Sequence, residues 1–199
     1  DGTKPTPYTE KDQPNPQSVY GKTKHQGEVI IKASGCKHII FRTSWVYALR
    51  GTNFVKTMIK LGKEREELKV VNDQIGVPTS AELIADITAL SLYKITQQEN
   101  HLQKMAETYH LTPMGETSWH GFAQFILTEA EKHGEQLKVT PDKIIPITSS
   151  DYQHTTNQKT AKRPANSRLD TKKILEKLGI HLPPWQVHAK RLIKELYTS

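Results

Sequence analysis

Apolar positions along the chain fall into two rhythms, one of helical period and one of short extended runs, separated by stretches that carry neither. Residues 1–16, DGTKPTPYTEKDQPNP, belong to the last kind. Pro, Asp, Asn and Gly dominate them, which predicts an irregular surface loop. Pro16 stands where a first helical residue belongs, with Asn15 as its N-cap, so a helix is predicted over 17–34 with Gly35 as its stop. Ile39, Ile40 and Phe41 then read as a strand buried on both faces, the mark of a parallel sheet flanked by helices. Phe54, Met58 and Leu61 recur at helical spacing, and ELKVVND reads as a short strand. Thr79 and Glu82 stand in capping-box spacing ahead of the apolar helical face of AELIADITALSLYKI. ETYHLTP is a further strand. Trp119, Phe122, Phe125 and Ile126 mark one face of the next helix, DKIIPIT is a short extended piece, and helices over 171–178 and 185–196 close the chain. This alternation of helices and strands predicts an α/β fold.

Composition narrows the class without naming a function. Apolar residues make up 35% of the 199 and charged residues 25%, as in a solvated globular protein. No apolar run approaches a membrane span, so no membrane partner is expected. Residue 1 is not Met and no charged-then-apolar leader follows, so the chain is expected to be processed or cut from something longer. The formal charge is +7, with Lys and Arg dispersed and no aromatic stripe between them. Such a balance suits a diphosphate ligand as well as nucleic acid; in the absence of any nucleic-acid motif, no nucleic-acid partner is expected. The single cysteine, Cys36, allows no internal disulfide and reads as a small core residue in a reduced, cytoplasmic compartment. The histidines show no zinc-type ligand spacing. The run KEREE at 63–67 reads as a solvated face.

The stretch SVYGKTKHQGE is where chemistry first suggests itself. Tyr20 and Lys24 are four residues apart, on one face of the predicted helix. A free phenol, with a pKa near ~10, is a poor acid–base catalyst at neutral pH. A fixed ammonium beside it favours the phenolate. A phenol tuned in this way can protonate a carbonyl oxygen as hydride reaches the carbon. The Lys can also donate to the ribose hydroxyls of a nicotinamide cofactor, and Gly21 lets a large group approach the helix. Spacing alone leaves a chance pair open, because the chain has seven Tyr and many Lys. The context adds a preceding Pro-rich loop and a following strand that ends in Arg42-Thr43-Ser44.

With DGTKPTPYTEKDQPNPQSVYGKTKHQGE, FRTSWVYALRGTNFVKTM, VVNDQIGVPTSAELIADITA, YHLTP and RPANSRLDTKKILEKLGIHLPPWQ, the chain resembles the dTDP-4-dehydrorhamnose reductases, a family of extended short-chain dehydrogenase/reductases, over essentially its whole length. The resemblance implies that NADPH, or NADH in some members, delivers hydride to the C4 keto carbon of a dTDP-6-deoxy-4-hexulose. Tyr20 would be the proton donor and Lys24 its tuning partner, both touching the cofactor. Thr43 and Ser44 would line the cleft beyond the strand, where α/β ligands bind. Trp45 would face the sugar ring, whose C–H surface is apolar; its plainer reading is a core Trp at a strand end. Asn53 and Phe54 would lie in the substrate domain, and Gln74, Gly76 and Pro78 in a nucleotide-binding stretch. Arg163 would take the diphosphate, with Asn166 and Ser167 nearby, since a guanidinium forks onto phosphate oxygens; otherwise it is a surface Arg. Asp170 reads more simply as an N-cap. Glu82 and Glu195 match positions that hold Mg2+ at a dimer contact in some members, though a capping box and a solvated helix explain them as well.

The expected architecture is therefore α/β: a partial Rossmann-type parallel sheet lacking its N-terminal strands, plus a small C-terminal substrate domain. Residues 1–50 and 80–112 would be the remainder of the nucleotide-binding domain, and 51–79 and 113–199 the substrate-binding domain. No G-x-x-G-x-x-G loop occurs, and the family's catalytic Thr or Ser would precede the initial DG. These 199 residues are thus expected to be a truncated, inactive form of a reductase. Their open sheet edges would favour a homodimer, intertwined or swapped. Two alternatives remain: a non-catalytic sugar-nucleotide-binding or regulatory subunit on the same scaffold, and an enzyme of another sugar nucleotide, against which RTSWVY and NDQIGVPT weigh.

Overall fold

Side-chain capping sets where most of the helices begin. In the computed structural model, which describes residues 1–97, 106–156 and 163–198, helix α1 spans Val19–Ala33. Its N-cap is Ser18, whose Oγ accepts from the Gly21 amide at 3.1 Å. Asn15, the cap expected from sequence, instead donates from Nδ2 to Asp1 at 3.1 Å, so the helix starts later. Gly35 follows the helix at φ 69°, the left-handed position that a glycine stop requires.

Strand β1 (His38–Arg42) pairs in parallel with β6 (Ala106–His110), His38 opposite Ala106 and Arg42 opposite His110. All five β1 residues are only half-buried, which corrects the expectation of a strand buried on both faces. The cause is one-sided cover: among the described residues β1 pairs with β6 alone, and α1 buries none of its residues. Val19, Val29, Ile30 and Ile31 of α1 are exposed. Cys36, expected in the core, is exposed in the connection between α1 and β1.

Helix α2 (Phe54–Glu64) follows the two-residue strand β2 (Val46–Tyr47). Next come β3 (Leu68–Val71), β4 (Ile75–Gly76) and β5 (Thr79–Ser80), and then α3 (Ala81–Thr96). The N-cap of α3 is Ser80, which accepts from the Leu83 amide at 3.0 Å. Thr79, the expected cap, is fully buried and donates to the Val77 carbonyl at 3.2 Å. Beyond β6, strand β7 (Thr117–Ser118) leads into α4 (Trp119–Lys132). Strand β8 (Ile144–Ile147) is followed by α5 (Ser149–Thr156), α6 (Lys172–Leu178) and α7 (Trp185–Thr198). Ahead of α6, Asp170 accepts from the Lys172 amide at 2.8 Å although Thr171 holds the cap position. The pairs β2–β5 and β3–β8 are parallel and β4–β7 is antiparallel.

Two apolar clusters form the core. One gathers Val55 and Met58 of α2, Leu68 and Val70 of β3, Phe122 and Ile126 of α4, and Leu192 and Ile193 of α7. The other joins Leu83 and Ile87 of α3, Tyr109 and Leu111 at β6, and the C-terminal Ile174, Leu178, Ile180 and Leu182. The chain thus returns to the second cluster through α6 before α7 closes the first.

The N-terminal loop is held beside the second cluster through His110, which is only 1% exposed. Its amide donates to Glu10 at 2.7 Å, and its Nδ1 lies 3.1 Å from the Tyr8 carbonyl oxygen. Burial pushes the imidazole below the ordinary histidine range and Arg42 adds to this, while Glu10 opposes it. The unfolded chain therefore takes up the proton first, so this contribution to stability is present above pH ~6.5 and is lost as pH falls below it. Urea midpoints measured at pH 7.5 and 5.5 are expected to fall further for the wild type than for His110→Asn; equal falls would assign the acid sensitivity elsewhere.

Candidate functional site

Tyr20 and Lys24 lie in the first two turns of α1 and do meet: the ammonium is 5.5 Å from the phenol ring centroid. Both are exposed, Tyr20 to 72%. The helix is tied to the end of β1 by Arg42, whose Nε and Nη2 donate to Glu28 at 2.9 and 2.6 Å. Burial raises the Glu28 carboxyl, but the Arg42 guanidinium outweighs it and holds the group below the usual range. The pair fixes where the helix passes the strand terminus. Beyond that terminus Thr43 is exposed, and Ser44 Oγ donates to the Val77 carbonyl at 3.3 Å.

Trp45 comes next, at φ 48°, the only non-glycine residue with positive φ among those described. A left-handed backbone at a bulky residue costs on the order of 1–3 kcal/mol, so the surroundings must impose it. Its indole stacks on Trp119, centroids 3.8 Å apart and planes 15° from parallel. Beneath lies Gly76, where a Cβ would stand 2.6 Å from Trp45 Cε2. Gly76 is therefore needed for space.

Trp119 also walls a cavity of about 690 Å³ between α2, β3 and α5. Phe54 and Tyr152 add aromatic surface, Gln74 lies at its floor, and Arg65 and Arg163 stand among its lining. Phe54 meets Trp119 at 4.6 Å between centroids, and Arg163 stands over the Trp119 ring at 5.9 Å. Gln74 is buried; its Oε1 accepts from the Trp119 indole N–H at 3.1 Å and its Nε2 donates to Ser149 Oγ at 2.9 Å. A cavity with flat aromatic walls and guanidiniums at its margin can hold an aromatic ring that carries negative charge.

Of the residues singled out by sequence, Phe54, Gln74 and Arg163 line this cavity, and Trp45 and Gly76 join it through Trp119. Tyr20, Lys24, Thr43 and Ser44 lie outside its lining. Asn53 is the N-cap of α2: its side chain accepts from the Lys56 amide at 3.2 Å and donates to the Ala48 carbonyl at 2.6 Å. Asn166 is buried and engaged at both ends, donating to the Lys4 and Thr6 carbonyls and accepting from Arg168. Glu82 lies in the first turn of α3, where its charge helps burial push the Tyr47 hydroxyl up, and Glu195 accepts from Arg191 at 3.1 Å. Neither belongs to a metal-ligand cluster: among the described residues no group of three or more His, Cys, Asp or Glu could hold an ion. Sequence reasoning missed Trp119, Tyr152 and Arg65 as cavity residues. Trp119 reads only as a member of a helix face, Arg65 as part of a solvated run, and α5 has no apolar period to announce Tyr152.

Residues 1–198 match a family model described as the RmlD substrate binding domain. A dTDP-4-dehydrorhamnose reductase of Shigella flexneri is 43% identical over 198 residues, covering 100% of this chain and 62% of that protein. The crystal structure of a dTDP-4-dehydrorhamnose reductase ortholog from Clostridium acetobutylicum superposes with a TM-score of 0.80 at 39% identity, over 98% of this chain and 62% of its own. That of the dTDP-4-dehydrorhamnose reductase from Bacillus anthracis, in complex with NADP, does so at 0.77 and 34%, over 98% and 61%. The chain thus spans a little over 60% of the length of these relatives.

Gly76→Ala tests the packing around Trp45. The added methyl must displace the indole or the strand, and such overpacking costs about 1–3 kcal/mol. A lowered urea midpoint together with a changed near-ultraviolet circular dichroism spectrum is expected; an unchanged spectrum would mean that Trp45 does not depend on this floor.

Proposed function

The chain belongs to the RmlD substrate binding domain family, and on that premise we propose that the intact protein reduces the C4 keto group of dTDP-4-dehydro-L-rhamnose with NADPH, giving dTDP-L-rhamnose. The observation that carries this reading is the aromatic cavity flanked by Arg65 and Arg163. It suits a nucleoside diphosphate: the base finds flat apolar faces in Phe54 and Trp119, and the Arg163 guanidinium can fork onto diphosphate oxygens. The sugar then points toward Trp45, which stacks on Trp119 at the margin of the cavity.

The residues around the end of β1 fit a nicotinamide cofactor. Among the described residues Lys24 forms no ion pair, so its ammonium is available to ribose hydroxyls. Ser44 already donates its hydroxyl hydrogen to Val77, which leaves it to act as an acceptor toward the cofactor, with the exposed Thr43 hydroxyl beside it. When bound, the reduced nicotinamide supplies the hydride that forms the new C4–H bond. Tyr20 gives its hydroxyl proton to the C4 oxygen, which completes the alcohol, and regains a proton from solvent. The Lys24 ammonium stabilises the phenolate left behind. The cofactor of the Bacillus anthracis relative supports NADP(H) as the carrier.

A second reading has one observation in its favour. Tyr20 is 72% exposed and lies outside the cavity lining, as suits a sugar-nucleotide-binding subunit without chemistry of its own. Two measurements separate the readings. Calorimetric titration of the chain with dTDP is expected to show binding that Arg163→Ala weakens by about 1.5–3 kcal/mol, the range for hydrogen bonds to charged groups. In the intact protein, NADPH oxidation driven by dTDP-4-dehydro-L-rhamnose is expected to fall by roughly 10²–10⁴-fold in Tyr20→Phe. Binding without turnover in the intact wild type would establish the second reading, and full turnover in Tyr20→Phe would remove Tyr20 as the proton donor.

A further inference from the structure

The left-handed backbone of Trp45 is supported by a line of contacts that starts far from it in sequence. The Trp119 indole N–H donates to Gln74 Oε1, Gln74 Nε2 donates to Ser149 Oγ, and Ser149 Oγ donates to Asp73 Oδ1 at 2.6 Å. Asp73 also accepts the Ser149 amide, which anchors the start of α5. The line has one sense. An ionised carboxylate only accepts and an indole N–H only donates, so both ends are fixed. The Gln74 amide between them cannot flip: reversed, its NH2 would face the indole N–H and its oxygen would face a hydroxyl whose hydrogen already goes to Asp73. The plane of Trp119 is thereby set, and Trp45 lies against that plane with Gly76 beneath it.

Three members of this line, Gln74, Trp119 and Ser149, also line the 690 Å³ cavity, and the Arg163 guanidinium stands over the Trp119 ring. We propose that Gln74 and Trp119 are positioning residues: they set the place of Trp45 at the cleft, and a nucleoside diphosphate in the cavity is transmitted through them to Trp45. This rests on reading the cavity as a nucleotide site. The route is physical. A diphosphate competes with the indole for Arg163, and a base laid against Trp119 or Gln74 acts on the same plane that Trp45 leans on. Occupancy by the nucleotide thus orients the aromatic surface offered to the sugar before the reacting carbon is in place.

The test uses the 199-residue chain and dTDP as the probe. Two indoles stacked in near-parallel at 3.8 Å should couple as an exciton pair, visible as a couplet in far-ultraviolet circular dichroism. The couplet is expected in the wild type and lost in Trp119→Phe and in Trp45→Phe. It is also expected to be lost in Gln74→Leu, which removes both the acceptor for the indole N–H and the donor to Ser149. Ser149→Ala, at a half-buried site, provides a milder break in the same line and is expected to weaken the couplet while the chain remains folded. Addition of dTDP should change the couplet in the wild type and leave Gln74→Leu without response. Retention of the full couplet in folded Gln74→Leu and Ser149→Ala would overturn the positioning role. Calorimetrically proven dTDP binding with no change in the wild-type couplet would overturn the transmission. Failure of dTDP to bind at all would overturn the nucleotide reading and the transmission together, while the Gln74 and Ser149 variants would still decide the positioning role.

Discussion

One buried amide, that of Asn166, ties together the parts of the chain on which the cleft depends. Its Nδ2 donates to the Lys4 and Thr6 carbonyls at 2.6 and 2.8 Å, and its Oδ1 accepts from the Arg168 amide and Nε at 3.0 and 2.9 Å. The Asn166 amide donates to the Gly2 carbonyl, and the flanking Ala165 and Ser167 exchange hydrogen bonds with Ile75. The N-terminal loop, the segment after Arg163 and strand β4 therefore share one knot. Gly2 lets them approach: a Cβ there would stand 2.4 Å from Pro164 Cβ, and its φ of 78° suits glycine. Ile75 sits next to Gly76, the floor of Trp45, so the Trp45 indole depends on an amide far from it in sequence. An unsatisfied buried group at Asn166 would cost about 1–3 kcal/mol for each lost partner.

The electrostatic character of the site follows from the same framework. The chain carries +7 overall, yet much of its cationic surface is engaged with carboxylates: Arg42 with Glu28, Arg168 with Glu116, Lys173 with Glu107. Arg163 is engaged with an aromatic face. A cation–π contact leaves guanidinium N–H groups in the ring plane available, which an ion pair with a carboxylate would not. Among the described residues Arg163 forms no ion pair, so the positive group beside the cavity is positioned without being neutralised by a carboxylate there.

How much of this was legible in the sequence depends on the range of the interaction. Helices with a strong apolar period, such as α2 through Phe54, Met58 and Leu61 or α4 through Trp119, Phe122 and Ile126, could be read directly, as could the extended runs of β3, β6 and β8. Strands of two residues, such as β4 and β5, have no period to read, and α5, with the sequence SSDYQHTT, lacks one as well. Caps were misplaced where two candidates adjoin: either Thr79 or Ser80 could cap α3, and the choice fell to Ser80 because Thr79 is buried in the β2–β5 pairing. Motifs pointed to Trp45, Phe54, Gln74 and Arg163 without revealing how they meet. Trp119, 74 positions beyond Trp45 in the numbering, is the residue that joins them, and only the tertiary arrangement shows it. Asn53 and Asn166 show another side: residues in suggestive motifs whose amides take part in holding the fold.

Helix α1 buries none of its residues and is fastened to the strand it passes through Glu28 and Arg42. It is in effect a lever with its pivot at Glu28. Tyr20 stands eight residues from that pivot, an arm of about 12 Å at 1.5 Å per residue. A tilt of about 10° would carry the phenol through roughly 2 Å, and in the reduction proposed above a misplacement of about 1 Å can cost on the order of 10²-fold in rate. The position of the phenol is thus an angular quantity, sensitive to whatever bears on the exposed Val29, Ile30 and Ile31 just beyond the pivot.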